Sequence, residues 1–185
     1  NDYVLNITDS ARLGGLPEYV KEMGEETARE KGLEGWAFTL DYPSMSPFLK
    51  FSTDRELRRE IWTANSSKAV GGEFDNTEIV KKIVDLRIKT AQLLGYETYA
   101  DYALEERMAK SPAIVNDFLK ELMEPSLVPA RGEIACIEKY AKENGFDDVL
   151  MPWDFSFWSE KYKEAEYSLK EEDLKPYFEL NSCIN

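Results

Sequence analysis

The chain contains no histidine among its 185 residues, and that absence removes several chemistries at once. Ser-His-Asp and Cys-His nucleophilic arrangements need an imidazole to take the nucleophile's proton. Histidine general bases and histidine-ligated zinc sites are excluded with them. Cysteine is almost as scarce. Cys136 and Cys183 are isolated thiols, too few for a structural zinc site or a disulfide framework, and this favours a reducing, cytoplasmic compartment. Cys136 lies among Ile134 and Ile137 on a helical face, the setting of a buried free thiol. No apolar run approaches the roughly 20 residues that span a bilayer, and nothing at the start resembles a signal peptide. Basic residues are outnumbered, 23 against 36 acidic, and cluster nowhere, so neither a membrane nor a nucleic acid is expected as a partner. The net charge of −13 fits a self-repelling, soluble surface; an acidic cleft for basic peptides is the other reading. Gly14-Gly15 and Gly71-Gly72 stand as bare pairs, without the surroundings of a phosphate-cradling loop.

What the chain does have is a helical core with clear punctuation. The length suits one large domain or two small ones, and 43% hydrophobic content can fill a core. Asp75 and Glu78 predict a capping box. Behind them Ile79, Val80, Ile83, Val84, Leu86, Ile88, Ala91, Leu93 and Leu94 recur at helical spacing up to a stop at Gly95. That apolar face is wide, so the helix is expected to pack on more than one side. A second helix is expected from Thr98 to Ala109. A third starts at Ser111-Pro112, with proline where its missing N–H costs nothing, and carries Ile114, Val115, Phe118, Leu119, Leu122 and Met123.

The remaining segments are read in the same way. Tyr3 to Ile7 alternates as a short strand does, and Trp36 to Leu40 is the clearest strand, paired either with Tyr3 to Ile7 or with Phe48 to Phe51. Pro17 opens a helix through Glu30. Thr53 and Glu56 predict a capping box for a helix with Leu57, Ile61 and Trp62 inward, and Asn65 to Asp75 reads as a loop. Pro125 and Pro129 end or kink the third helix. A further helix runs from Ala130 to Glu143, Pro152 starts an aromatic one, and Lys170 to Leu180 closes the chain. The expected class is mainly α, a helical array with one short β pair in the N-terminal third. Its parts are residues 1–74, mixed, and 75–185, helical, within one continuous unit. Asn1 and Asn185 read as cuts from a longer chain.

Three constellations invite a functional reading, and each has a plainer one. Trp153, Phe155, Phe157 and Trp158 could stack a ligand, but aromatics at helical spacing are more often core; Asp154 beside them stabilises a first helical turn. Glu25-Glu26, Glu105-Glu106 and Glu171-Glu172-Asp173 are adjacent in sequence, and neighbouring helical residues do not converge on one point. Tyr96, Tyr99 and Tyr102 could line a peptide cleft, or simply pack the second helix against the first. No catalytic, cofactor-binding or metal-ligating residue is therefore nominated. A stand-alone helical module for protein interaction or ligand binding is the reading these residues allow by themselves.

Several stretches together resemble one family. Leu86-Arg87, Ala91-Gln92-Leu93-Leu94-Gly95-Tyr96, Tyr99-Ala100, Met108-Ala109-Lys110-Ser111-Pro112, Trp153-Asp154 and Leu174-Lys175-Pro176-Tyr177-Phe178-Glu179-Leu180 are similar, in order and spacing, to the thimet-oligopeptidase family of zinc metallopeptidases. Leu16-Pro17-Glu18, Thr39-Leu40, Pro43-Ser44 and Leu57-Arg58 fit the same pattern upstream, so the resemblance covers nearly the whole chain. Pro176 to Leu180 and Phe155 to Glu160 look most like the bacterial peptidyl-dipeptidase branch. The resemblance implies a hydrolase acting on short peptides, with zinc held by an H-E-x-x-H helix and a later glutamate. The two histidines and that later glutamate bind zinc, which polarises the scissile carbonyl, and the motif's own glutamate activates water. All of those residues correspond to positions beyond Asn185. The implied role of this segment is scaffold and channel wall, inactive in isolation, with the remainder of the parent chain as docking partner.

Overall fold

A computed structural model describes residues 2–168. The expected closing helix Lys170 to Leu180, the acidic run at Glu171 and the thiol of Cys183 lie outside the described residues. The described elements, in order, are β1 (Leu5–Ile7), a 3-10 turn (Ser10–Leu13), α1 (Glu18–Glu30), β2 (Trp36–Phe38), α2 (Tyr42–Phe51), α3 (Arg55–Ser66), α4 (Thr77–Leu93), α5 (Tyr99–Leu104), α6 (Pro112–Glu143) and α7 (Pro152–Tyr167). The expected class, mainly helical with one short β pair, is what forms. The described residues pack as two units, one of residues 2–66 together with 135–168, the other Ser67–Ile134.

In the first unit β1 pairs antiparallel with β2, Leu5 opposite Phe38 and Ile7 opposite Trp36, which decides between the two partners the sequence left open. Gly35 makes the pairing possible. It sits at φ +81°, and a Cβ there would lie 2.2 Å from the carbonyl oxygen of Ile7, so only glycine fits. Phe48 to Phe51, the rejected strand, is instead the last turn of α2. Asp41-Tyr42-Pro43, which follows the strand, opens α2. Here Pro43 occupies the first helical turn, where a missing N–H is harmless, and Thr39 N–H donates to Ser44 Oγ at 3.0 Å to lock the entry. Pro47 sits inside α2, and the bond it forfeits is offset by burial of Phe48 and Leu49. The core gathers Leu5, Ile7, Val20, Phe38, Phe48, Leu57 and Ile61, with Phe38 and Phe48 rings 4.6 Å apart.

Two sequence expectations shift in this unit. The cap of α3 is Asp54, not Thr53: its carboxylate accepts Leu57 N–H at 3.1 Å, and its carbonyl accepts Arg58 N–H. Cys136 is exposed rather than buried, because the face of α6 that packs is Ile137, Tyr140 and Ala141, and the preceding residue points about 100° away. These three meet Phe157, Trp158 and Tyr162 of α7 in a second cluster.

The second unit departs further from expectation. Asp75 Oδ1 accepts from Thr77 N–H at 2.9 Å, but Glu78 turns to Lys81 at 2.7 Å instead of closing a box. Along α4 only Ala91 is buried, so the broad packing foreseen for this helix is not made among the described residues. α5 is shorter than expected, ending at Leu104. Its cap is complete: Thr98 accepts Asp101 N–H while Asp101 accepts Thr98 N–H. The two helices expected on either side of Pro125 and Pro129 are one helix, α6. The prolines withdraw the N–H groups that would meet the Glu121 and Pro125 carbonyls, without ending it.

Candidate functional site

The most organised polar constellation is an ion network in the first unit that sequence reasoning missed. It begins at the N-terminus of α3, where one turn presents Arg55, Arg58 and Arg59, and ends at the N-terminus of α7, where Asp154 is fully buried. Asp154 accepts from Arg55 Nη2 at 2.8 Å and Nε at 3.0 Å, and from Arg58 Nη2 at 2.8 Å. It also accepts Met151 N–H at 3.2 Å, so the first-turn role expected of it is kept and a second one added. Arg58, only 2% exposed, spends its other donors on the carbonyls of Ser52 at 2.7 Å and Trp153 at 3.2 Å. Arg55 reaches outward to Asp148 and to the Val149 carbonyl.

The geometry sets the electrostatics. Burial pushes the Arg58 guanidinium down from its ordinary value, against the pull of Asp154. Arg55 is held up, first by its hydrogen bonds to Asp154, and the same guanidinium holds Asp148 below the usual carboxylate range. Aromatic faces complete the desolvated shell: Arg58 lies 4.2 Å from the centre of the Phe157 ring and Arg55 lies 5.0 Å from that of Phe146. Bidentate, charge-assisted pairs of this kind are strong and directional. These donors engage both carboxylate oxygens of Asp154, and the network is a clamp between α3 and α7. Beside it lies a cavity of about 360 Å³ lined by Arg55, Glu56, Arg59, Asp148, Met151 and Trp153.

The groups weighed from the sequence fall as follows. Phe157 and Trp158 are core, as expected of aromatics at helical spacing, while Phe155 is 40% exposed. Glu25 and Glu26 are exposed on α1. Tyr96, Tyr99 and Tyr102 do come together in the second unit, with ring centres 5.3 and 5.8 Å apart along the chain of contacts. Arg87 of α4 lies 5.2 Å from the Tyr99 ring centre. The Tyr96 hydroxyl donates to Glu105, and that hydrogen bond raises the Tyr96 phenol above its ordinary value. Tyr99, Tyr102, Glu105, Glu106 and Arg107 line an open hollow of about 610 Å³. Among the described residues, no three His, Cys, Asp or Glu side chains are placed to hold a metal ion. The donor set for a zinc site is therefore not met by the residues described. No helix among them is long and apolar enough to cross a membrane.

Oligopeptidase A of Escherichia coli (strain K12) is 38% identical over 184 residues, covering 97% of this chain and 27% of that protein. Probable cytosolic oligopeptidase A of Arabidopsis thaliana is 37% identical over 188 residues, with the same two shares. Dipeptidyl carboxypeptidase of Escherichia coli (strain K12) is 32% identical over 183 residues, covering 98% of this chain and 27% of that protein. The chain thus spans about a quarter of the length of the curated relatives it matches. Peptidase family M3 matches residues 48–185, from the last turn of α2 onward. The chain belongs to peptidase family M3.

Proposed function

We propose that this chain is scaffold and channel wall of a zinc peptidase that hydrolyses short peptides, and that it is catalytically silent in isolation. The zinc ligands, the peptide-cleaving groups and the docking partner would correspond to the part of the relatives that this chain does not span. One pairing supports the reading: a family match over 48–185 in a chain without histidine. Release of dipeptides from the C-terminus of short peptides and a cytoplasmic setting are the finer assignments. The first is the activity implied by the resemblance of Phe155 to Glu160 and Pro176 to Leu180. No step of the reaction is assigned to any residue here.

The test uses the purified chain with short peptides, with and without added zinc. No cleavage and no stoichiometric zinc uptake are expected. Chelator-sensitive release of dipeptides by this chain would overturn the claim of silence. The parent assignment rests on a separate observation, the gene downstream of Asn185, which is expected to encode H-E-x-x-H.

A further inference from the structure

We infer that the polypeptide the relatives carry beyond the span of this chain docks on residues 67–134, against one apolar stripe of α4 and one of α6. The inference rests on the reading of the chain as part of a longer peptidase, and adds to it the place and the chemistry of the contact. Val80, Ile83 and Val84 of α4 are between 43% and 56% exposed, and Phe118, Leu119 and Leu122 of α6 between 50% and 58%. At 3.6 residues per turn each trio falls within about 100° of its helix, the width of a face that packs on a core. Folded proteins seldom leave such faces to water. The α4 stripe is also bounded along the helix. One turn on from Ile83, Arg87 takes the same line and lies against the Tyr99 ring, so the open stretch of this stripe is the first half of α4.

Length and charge say what covers the two stripes. Oligopeptidase A of Escherichia coli has nearly three quarters of its length outside the part that this chain matches. The family match takes in both helices whole, so a partner for them is available within the same polypeptide. Charge does not select a different one. Glu78 and Asp85 edge α4 together with Lys82 and Lys89, and α6 carries Lys120 between Asp117 and Glu121. Neither helix presents a single sign, so burial of apolar surface, rather than ion pairing, holds the contact. Residues 67–134 hold twelve acidic and nine basic side chains, net −3, against −13 for the whole chain. The part of the surface that least opposes close approach is therefore the part with the bare stripes. The first unit lacks this need, because Phe38, Phe48 and Ile61 already complete its core.

Hydrogen exchange tests this on two proteins, the chain as it is and the gene product continued past Asn185. Amides of residues 79–84 and 118–123 should exchange at least about tenfold more slowly in the longer protein, as helices do once their open face is covered. Amides of α1 and α3 should change little. Supplied separately, the polypeptide that follows Asn185 should bind this chain, with an affinity that varies less than about threefold between roughly 0.05 and 0.5 M salt. Ile83→Asp should weaken that binding about thirtyfold or more, with helix content unchanged by circular dichroism. Tyr42→Asp, on the exposed start of α2 in the first unit, should leave it unaltered. Equal exchange in the two proteins, binding indifferent to Ile83→Asp, binding that collapses in salt, stripes already protected in this chain by itself, or a gene that ends at Asn185 would each overturn the inference. Zinc uptake and peptide cleavage by the longer protein judge the peptidase reading separately, since neither enters the exchange measurement.

Discussion

The two units of this chain solve the same problem to different degrees. In residues 2–66 and 135–168, helices and a strand pair enclose Phe38, Phe48 and Ile61 completely, and a buried carboxylate ties α3 to α7. In residues 67–134, helices with equally apolar faces bury little beyond Ala91. The difference teaches where each unit draws its order. The first draws it from tertiary packing. In the second, α5 is fixed by its own capping box and by the tyrosine contacts, while α4 and the part of α6 before Ala135 bury little beyond Ala91. Isolated helices are marginal in water on those terms alone, which is consistent with surfaces made to be covered.

The sharpest way to break this contrast is at Asp154. Asp154→Ala leaves Arg58 buried and unpaired, and removing one partner of a buried pair costs roughly 3–5 kcal/mol. All four tryptophans, Trp36, Trp62, Trp153 and Trp158, lie in the first unit, so their fluorescence reports that unit selectively. Its denaturation midpoint should fall steeply. A midpoint unmoved by the substitution would mean that the clamp is not what joins α3 to α7. Almost as large is the loss expected at Phe48, fully buried against Phe38. Phe48→Ala should cost about 3–5 kcal/mol through lost transfer energy and the cavity left behind. Phe118→Ala, the same chemical change on a side chain 58% exposed, should stay within about 0.5 kcal/mol. If the two alanine variants were equally destabilised, the contrast between the units would be gone.

How much of this could be read from the sequence follows the same division. Local signals were legible. Gly95 ends α4's turn, Pro112 opens α6, Pro152 opens α7, and Trp36 to Leu40 reads as a strand because glycine and aspartate bound it, though only Trp36–Phe38 forms one. What could not be read was anything decided by distance along the chain. Arg55 and Asp154 are 99 residues apart, and a charged helix start such as Arg55-Glu56-Leu57-Arg58-Arg59 looks like a solvated face. Only burial distinguishes Arg58 from Arg59. α2 was missed because Pro43 and Pro47 look like breakers, and one of them is tolerated only through what Phe48 and Leu49 bury. Cys136 was misplaced by one position on a helix, which suffices to turn a side chain outward. The family resemblance rested on short strings whose order survives where periodicity alone says little, and it carried the reading to a peptidase scaffold.

A subtler probe of the first unit's polar surface is its response to acid, and Asp54 sets the sign. Burial raises the Asp54 carboxyl, but the hydrogen bond from Arg12 at 2.7 Å and the backbone N–H groups of Leu57 and Glu56 outweigh it, leaving the group below its ordinary value. The unfolded chain binds this proton more readily, so the stabilisation is fully present above the ordinary aspartate value of about 4. It is lost as pH falls through the lower, folded value. Asp54→Asn keeps a competent cap while removing the charge that holds Arg12. Because Arg12 is 41% exposed, the gap between parent and variant should be below about 1 kcal/mol at neutral pH. It should then close toward zero as the tryptophan-detected midpoint is followed down from pH 7 into the acid range. A gap that stays constant, or widens, below the ordinary aspartate value would show that Asp54 stabilises the start of α3 by capping geometry alone and that its pairing with Arg12 contributes nothing.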